Sequence, residues 1–510
     1  MLGCGRPEFS RLTEPWLKGL PDREMKVLYV TSELFPLTQT GCVGEICGLI
    51  PLALTDQGAD VRILLPAYPQ AVKAIRRKGK PIDLGNPLGL GASRLIPGWL
   101  PDSSVRVWLL DCPTQYNREG GVFLDDLGVP WPDNGHRFAL LSKVAALLAE
   151  VGGMLGWQPD VLHANDWTCG LAPAYLAVNG NRQCATVFTV RDMRQQGNFD
   201  AELLYRFGLP KSTFTMNGLE FHGRLSFLKA GLYYSGKIIT TSPSFTREIQ
   251  LKGHGEGMHG VCSLRGGDLS GILNGLDEGE WNPGDDPHVS TRYDSDHLDG
   301  KLRNKLDLQR AFSLESNPDI PLIGMVSHLG LDEGADLLIA ALSGLISAGA
   351  QIVVMGSGDK DMEHSLVMAS TTYPGRIGVH LGWEQGLHHR ILAGCDLFLV
   401  PARFDPCAVK QYQAMRYGAL PVVRKTGGLG DTVLDTLHGE TGTGFVFNEP
   451  TGGELMLAVS RGINLFRNRN TWRRHQIYAM NRPWGWQDPA KSHLEIYQRA
   501  RSQISAGIYM

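Results

Sequence analysis

Two segments in the last quarter of the chain carry side chains suited to binding a sugar and a phosphate. Arg403 and Asp405 follow the apolar run 396–400, and a glycine-rich segment follows the apolar run 420–423. A carboxylate accepts hydrogen bonds from sugar hydroxyls, whereas glycines expose backbone N–H groups to phosphate oxygens. The two segments together indicate a nucleotide sugar, although the glycine-rich segment alone also fits a simple tight turn. The glycine-rich segment consists of Thr426, Gly427, Gly428, Leu429 and Gly430.

The spacing of apolar residues predicts the elements that position these segments. The runs 396–400 and 420–423 have the composition of buried strands, and residues 408–417 have helical spacing. A further helix is predicted to begin near Thr432. A strand, a helix and a strand in this order form a βαβ unit whose strands end at the same edge of the sheet, where open α/β sheets bind ligands.

Other polar residues follow predicted strands earlier in the chain. Asp166 and Trp167 follow one such strand, and this pair suits a sugar because the carboxylate binds hydroxyls and the indole packs on the ring face. Alternatively, Asp166 caps the helix entered at Gly170. The remaining strand-end residues are Gln39, Thr40, Gly41, Arg191, His328, Gly356 and Gly358.

Composition limits the classes of function. A chain of 510 residues is long enough for two or three domains, and a formal net charge of −3 gives no broad reason to expect nucleic acid or membrane binding. The nine cysteines are odd in number and never spaced as Cys-x-x-Cys, so neither a disulfide framework nor a zinc site is predicted. No apolar signal peptide or membrane span is present, which predicts a cytoplasmic protein.

The segment 400–432 closely resembles the bacterial glycogen synthase and plant starch synthase family. Members of that family carry Ser-Arg-Phe-Glu-Pro-Cys-Gly-Leu, then Arg-Tyr-Gly-Thr and Arg-Arg-Thr-Gly-Gly-Leu, and the resemblance extends from Met25 to about Tyr497. It implies an α/β GT-B fold, in which two Rossmann-like doubly wound domains face each other across a cleft. It also implies a retaining glucosyltransferase that moves glucose from ADP-glucose to the non-reducing end of an α-1,4-glucan, with no cofactor or metal.

The resemblance implies domain boundaries and site residues. It implies Rossmann-like domains over 25–268 and 269–488, and a helix over 489–510 that returns to the first domain. Because the first predicted strand begins directly after Met25, residues 1–24 are expected to form a disordered extension. The catalytic candidates are Asp405, Arg191 and Asp166, and the glucan-binding candidates are Trp167 and Asn274. The nucleotide-sugar candidates are Gln39, Thr40, Gly41, His328, Gly356, Gly358, Arg403, Lys410, Thr426, Gly427, Gly428 and Leu429.

The sequence departs from the family at five positions of the reaction centre, which hold Gln39, Arg191, His328, Glu333 and Asp405. The family has lysine, histidine, arginine, lysine and glutamate there, so positive charge for the leaving diphosphate is reduced. Lys410 is a new cation nearby. Two hypotheses follow: a glucosyltransferase with rearranged phosphate contacts, or a relative that binds glucan or nucleotide as a regulator or scaffold.

Overall fold

The computed structural model describes residues 24–38, 41–151, 155–180, 183–439 and 441–506. The predicted extension therefore lies outside the described residues apart from Glu24, and so do the candidates Gln39 and Thr40. Within these ranges no helix is long and apolar enough to cross a membrane.

The first half of the chain forms a sheet of nine strands. Its neighbouring strands are parallel, except for an antiparallel extension at one edge. The central strands are buried almost throughout, as expected for a parallel sheet that is covered on both faces. In spatial order the strands are β12 (Leu269–Gly271), β11 (Lys237–Thr240), β7 (Ala185–Val190), β6 (Val161–Asn165), β1 (Lys26–Val30), β2 (Asp60–Pro66), β5 (Arg106–Asp111), β4 (Ser93–Trp99) and β3 (Ile82–Gly85).

The second half forms a fully parallel sheet of six strands. Its spatial order is β15 (Ile377–Leu381), β14 (Gln351–Gly358), β13 (Leu322–Leu329), β16 (Leu397–Val400), β17 (Leu420–Arg424) and β18 (Phe445–Phe447). A small antiparallel sheet follows β7 and contains β8 (Asn198–Asp200), β10 (Arg224–Ser226) and β9 (Glu220–Phe221).

Helices connect successive strands and cover both sheets. In particular, α1 joins β1 to β2 and α13 joins β16 to β17, so the predicted βαβ unit is present. The helices are α1 (Cys42–Asp56), α2 (Pro69–Ala74), α3 (Pro113–Tyr116), α4 (Asn134–Val151), α5 (Leu171–Val178), α6 (Phe227–Tyr234), α7 (Pro243–Glu248), α8 (His259–Leu264), α9 (Asp299–Ala311), α10 (Ala335–Ser347), α11 (Lys360–Thr372), α12 (Gln385–Gly394), α13 (Lys410–Arg416), α14 (Gly427–Thr432), α15 (Gly452–Arg467), α16 (Arg469–Met480) and α17 (Gln487–Ser505).

The last helix lies against the first sheet. The hydroxyl of Tyr497 on α17 is 2.7 Å from Nδ1 of His163 on β6, and Arg501 lies 3.3 Å from Asp160. The end of the chain therefore ties the second half of the molecule back to the first.

One predicted helix boundary is wrong. The helix expected to begin near Thr432 begins at Gly427 and ends at Thr432, so the glycines form its first turn. Glycine usually disfavours a helix, but a Cβ at Gly428 would lie only 2.7 Å from Cβ of Ala408. Close packing of the first turn of α14 against the loop that contains Ala408 therefore favours glycine at position 428.

Candidate active site

Asp405 lies in the loop after β16, at the carboxyl edge of the second sheet. Its Oδ1 accepts hydrogen bonds from the backbone N–H groups of Cys407 at 3.1 Å and Ala408 at 2.8 Å. Its Oδ2 is buried and has no hydrogen-bond partner among the described residues. Burial raises the pKa of this carboxyl, and the nearby Lys410 opposes that shift. One carboxylate oxygen thus remains available to a ligand hydroxyl.

Lys410 and Glu333 form an ion pair beside Asp405. The Lys410 Nζ lies 2.7 Å from Glu333 Oε2, and each side chain is 25% exposed. The same Glu333 oxygen accepts a hydrogen bond of 3.1 Å from Ser327 Oγ. Burial opposes the charge on Lys410, but the two carboxylates raise its pKa overall and keep it protonated. The new cation recognised in the sequence, Lys410, therefore lies directly against the added negative charge of Glu333.

The guanidinium of Arg403 is paired with groups of the protein. It forms a bidentate pair with Asp336 at 2.7 and 2.8 Å, and it also donates to the carbonyl of Leu331 at 2.6 Å. Bidentate pairing of this kind fixes a guanidinium in place. Arg403 therefore holds the loop after β16 against α10, and its contact with a nucleotide sugar stays a prediction.

The glycines at the end of β14 are required by sheet packing. A Cβ at Gly356 would lie 1.9 Å from the carbonyl oxygen of Ser327, and one at Gly358 would lie 2.4 Å from that of Leu329. His328 is exposed next to Gly358, at the ligand edge of β13. Close strand pairing thus explains both glycines, and His328 remains a candidate contact for a ligand.

A carboxylate of the protein, that of Glu248, binds the backbone of the glycine-rich turn. Thr426 precedes α14 in an extended conformation, and the N–H of Gly427 donates to Glu248 Oε1 from the first half of the chain at 2.9 Å. The side chain of Leu429 is completely buried and belongs to the core, so the contact predicted for this residue could involve only its backbone. Sequence reasoning missed Glu248 because nothing in α7 distinguishes it from a surface acid.

Asp166 serves as a cap and also lies in the candidate site. Its Oδ1 accepts the N–H of Trp167 at 2.9 Å and so caps the 3-10 turn Trp167–Cys169. Gly170 precedes α5 without a side-chain cap, so the alternative that Asp166 caps the helix entered at Gly170 is wrong. Burial raises the pKa of Asp166 to about 7, although the Trp167 N–H and the charge of Arg191 partly offset this. The Trp167 ring packs edge-on against Phe138 and is half-buried.

Arg191 does not reach the cleft in this structure. It is 1% exposed, and its Nη2 lies 3.3 Å from Asn165 Oδ1 and 3.8 Å from the sulfur of Cys47. Its Nε has no hydrogen-bond partner among the described residues. The predicted phosphate contact is therefore corrected: Arg191 lies beneath the carboxyl edge of the first sheet, where its charge acts on Asp166.

Side chains after the strands of one sheet contact those after the strands of the other. Arg194 forms an ion pair of 2.6 Å with Asp332, and its guanidinium lies 4.0 Å from the centre of the Phe404 ring. Asn274 is buried and donates to the carbonyl of Cys407 at 2.8 Å, so it joins the two halves and is corrected from a glucan contact. The two ligand edges thus face each other across a closed cleft.

A disulfide bond crosses this cleft. Cys42, which directly follows Gly41, is bonded to Cys407, and the two Cα atoms lie 6.5 Å apart. The prediction of no disulfide framework is wrong for this pair. The two cysteines are separated by 365 residues, and spacing along the sequence cannot reveal a contact made by the facing of two sheets. No group of three or more metal-ligating side chains was found among the described residues.

Known proteins resemble the chain over most of its length. The family models for the starch synthase catalytic domain and for group 1 glycosyl transferases match residues 26–263 and 309–473. Glycogen synthase from Rhodospirillum rubrum is 46% identical over 93% of this chain and 98% of its own length, and that from Paramagnetospirillum magneticum is 43% identical over 93% and 97%. The chain belongs to the glycogen synthase family. The predicted synthase function is thereby confirmed.

Solved structures agree with this family assignment. The catalytic domain of starch synthase IV from Arabidopsis thaliana, bound to ADP and acarbose, is 25% identical, with a TM-score of 0.83 over 94% of this chain and 100% of that chain. Sucrose-phosphate synthase from Thermosynechococcus elongatus is 14% identical with a TM-score of 0.54, which shows the fold alone. The predicted α/β GT-B fold is confirmed.

The protein itself has a carboxyl group with a raised pKa, that of Glu45, between its two halves. Glu45 on α1 is partly buried near Glu280 and Asp277, and burial followed by these two charges raises its pKa from 4.5 to about 7. An unfolded chain releases this proton near pH 4.5, whereas the folded protein holds it to about pH 7. Stability contributed by this proton is therefore present at low pH and is lost as the pH rises through that window.

We expect Glu45→Gln to remove the decrease in the free energy of unfolding that accompanies ionisation of Glu45. After allowance for partial exposure, the variant should gain about 2 kcal/mol relative to wild type at about pH 8 and little at about pH 4. Urea unfolding at both pH values measures the difference, with the exposed Glu495→Gln as the control. An equal pH dependence in wild type and Glu45→Gln would contradict the assignment.

Proposed function

We propose that this protein transfers glucose from ADP-glucose to the non-reducing end of an α-1,4-glucan, with retention at the anomeric carbon, in the cytoplasm. The proposal needs only the nucleotide sugar and the glucan, without a metal or cofactor. The observation that carries it is the buried, unpartnered Oδ2 of Asp405 beside the protonated Lys410, at the edge where the two sheets face each other. The ADP-bound starch synthase relative and the glycogen synthase relatives support this choice of substrates.

The cation is the critical group for the reaction. Negative charge develops on the diphosphate as it leaves, and preorganised positive charge stabilises that transition state. In this proposal Lys410 provides the charge that the family places at the position of Glu333. Glu333 holds the ammonium group at 2.7 Å and so fixes its direction. The exchange of lysine for Glu333, together with the new Lys410, then moves the positive charge to a neighbouring position and does not remove it.

The two carboxyl groups have different tasks. Asp405 Oδ2 accepts a hydrogen bond from a hydroxyl of the transferred sugar. Asp166 retains its proton up to about pH 7 because it is buried, so below that pH it donates a hydrogen bond to a sugar oxygen. Ionisation of Asp166 removes this donor, and we therefore expect kcat/KM to fall as the pH rises above about 7.

That pH dependence is tested with Asp166→Asn. An amide donates a hydrogen bond at every pH, so the decline above about pH 7 should disappear in the variant, whatever its absolute rate. The measurement is kcat/KM for glucose incorporation across pH, with wild type as reference. An unchanged profile would remove Asp166 from this role.

Calorimetric titration with ADP and ADP-glucose, followed by incorporation of labelled glucose into glycogen, tests the function as a whole. We expect both nucleotides to bind and glucose to be incorporated, with UDP-glucose as the matched donor for comparison. The protein is reduced beforehand, because the Cys42–Cys407 disulfide crosses the cleft. Retention on a glycogen column without binding of either nucleotide would favour the non-catalytic glucan-binding alternative.

A further inference from the structure

The disulfide joins the two walls of the cleft at the place where a ligand must enter. Cys42 is the first residue of α1, immediately after the loop that follows β1 in the first half of the chain. Cys407 lies between Asp405 and Lys410, the two residues to which the proposed function assigns ligand contacts. A single covalent bond therefore fixes the distance between the two ligand edges.

The other contacts across the cleft are reversible. They include the Arg194–Asp332 ion pair, in which both partners are substantially exposed, and two hydrogen bonds of 2.6 and 2.7 Å from Ser244 to Asp431. The hydrogen bonds from Gly427 to Glu248 and from Asn274 to Cys407 also cross it. Exposed ion pairs and single hydrogen bonds exchange readily with water. Without the disulfide these contacts allow the two halves to separate, whereas with it they cannot.

We propose that the Cys42–Cys407 disulfide is a redox switch that locks the cleft shut, and that a dithiol reductant opens it. The oxidised protein neither releases nucleotide nor admits a glucan chain, and the reduced protein does both. The effect on turnover rests on the proposed function. The locking itself does not, because it concerns only whether the two ligand edges, which this disulfide joins covalently, can move apart.

The reaction is an ordinary thiol–disulfide exchange. The thiolate of a dithiol attacks the sulfur of Cys42, which is partly exposed, whereas Cys407 is 3% exposed. The protein S–S bond breaks, and Cys407 leaves as a thiolate that takes a proton from water. The second thiol of the reductant then attacks the mixed disulfide and releases Cys42. Two electrons pass to the protein, and the reductant departs as its own disulfide.

The chemistry is confined to this pair among the described cysteines. Each of the other six is buried, and burial raises the pKa of Cys169 and of Cys395 to about 12. Buried thiols with a raised pKa react slowly with disulfides and alkylating reagents. The six are Cys47, Cys112, Cys169, Cys184, Cys262 and Cys395.

The test compares the full chain after treatment with oxidised glutathione and after treatment with dithiothreitol. Alkylation followed by peptide mass spectrometry reports the bond, and small-angle X-ray scattering reports the separation of the two halves. We expect the Cys42–Cys407 cross-linked peptide and a compact particle after oxidation. After reduction we expect two alkylated cysteines, a larger radius of gyration and a rise of about tenfold or more in the rate of glucose incorporation.

Two variants make the result specific. Cys42→Ser should behave identically after both treatments, whereas Cys262→Ser, which lacks a buried cysteine on α8, should keep the full response. Alkylation of both Cys42 and Cys407 in the oxidised protein would overturn the switch, and so would an unchanged radius of gyration after reduction. A redox-dependent radius without any glucose incorporation would refute the proposed function and leave the lock established.

Discussion

Lys410→Met is expected to lower kcat/KM for glucose transfer about 10²–10³-fold, with most of the loss in kcat. The Lys410 ammonium is held at 2.7 Å by Glu333, next to the unpartnered oxygen of Asp405. The positive charge of Lys410 stabilises the negative charge that develops on the leaving diphosphate. Removal of the ammonium group therefore affects the transition state more than the bound ground state. Initial rates of labelled glucose incorporation by the reduced protein measure the loss.

A control variant distinguishes the loss of the Lys410 charge from a general effect of replacing a lysine by methionine. Lys360→Met removes a lysine that is 85% exposed and pairs with Glu363, and it should leave the rate within about twofold. The double variant Glu333→Lys with Lys410→Met returns the cation to the family's position and should recover part of the lost rate. If Lys410→Met retains the wild-type rate, Lys410 does not stabilise the diphosphate.

The relocated cation illustrates what a sequence conveys about a site. The sequence showed a glutamate where the family has a lysine, which indicated a loss of positive charge. The residue that compensates lies 77 positions away, and only the facing of the loops after β13 and β16 brings it to Glu333. Strand ends and their order were predictable from the apolar runs, because buried parallel strands have distinctive composition. The pairing of side chains between loops could not be predicted in this way.

The direction of side chains limits prediction in a second way. Arg191 and Arg403 were both correctly expected to follow strands, yet one guanidinium is buried against Asn165 and the other pairs with Asp336. A position at the end of a strand determines where the backbone lies, but a long side chain turns toward whichever partner the tertiary structure provides. The same limit applies to the cysteine at position 42, whose partner lies in the other half of the chain.

Asp396→Ala is expected to destabilise the second half of the protein by about 3–5 kcal/mol. Asp396 Oδ2 lies 2.6 Å from Lys305 Nζ, and the two side chains are only 9% and 3% exposed. The same oxygen accepts the N–H of Leu322 at the start of β13. Truncation leaves a buried ammonium with the carbonyl of Pro318 as its remaining hydrogen-bond acceptor among the described residues, and burial already lowers the pKa of Lys305.

Urea unfolding followed by tryptophan fluorescence measures the loss in free energy of unfolding. Two further variants identify its cause. Asp307→Ala breaks an exposed pair with Arg310 on the same helix, α9, and should cost less than about 1 kcal/mol. Lys305→Met combined with Asp396→Leu replaces the buried pair by apolar groups and should lie much closer to wild type than Asp396→Ala does. If the double variant is as unstable as Asp396→Ala, the loss comes from the hydrogen bond to Leu322. Recovery in the double variant would identify the uncompensated charge as the cause, because that charge is the feature the two variants do not share.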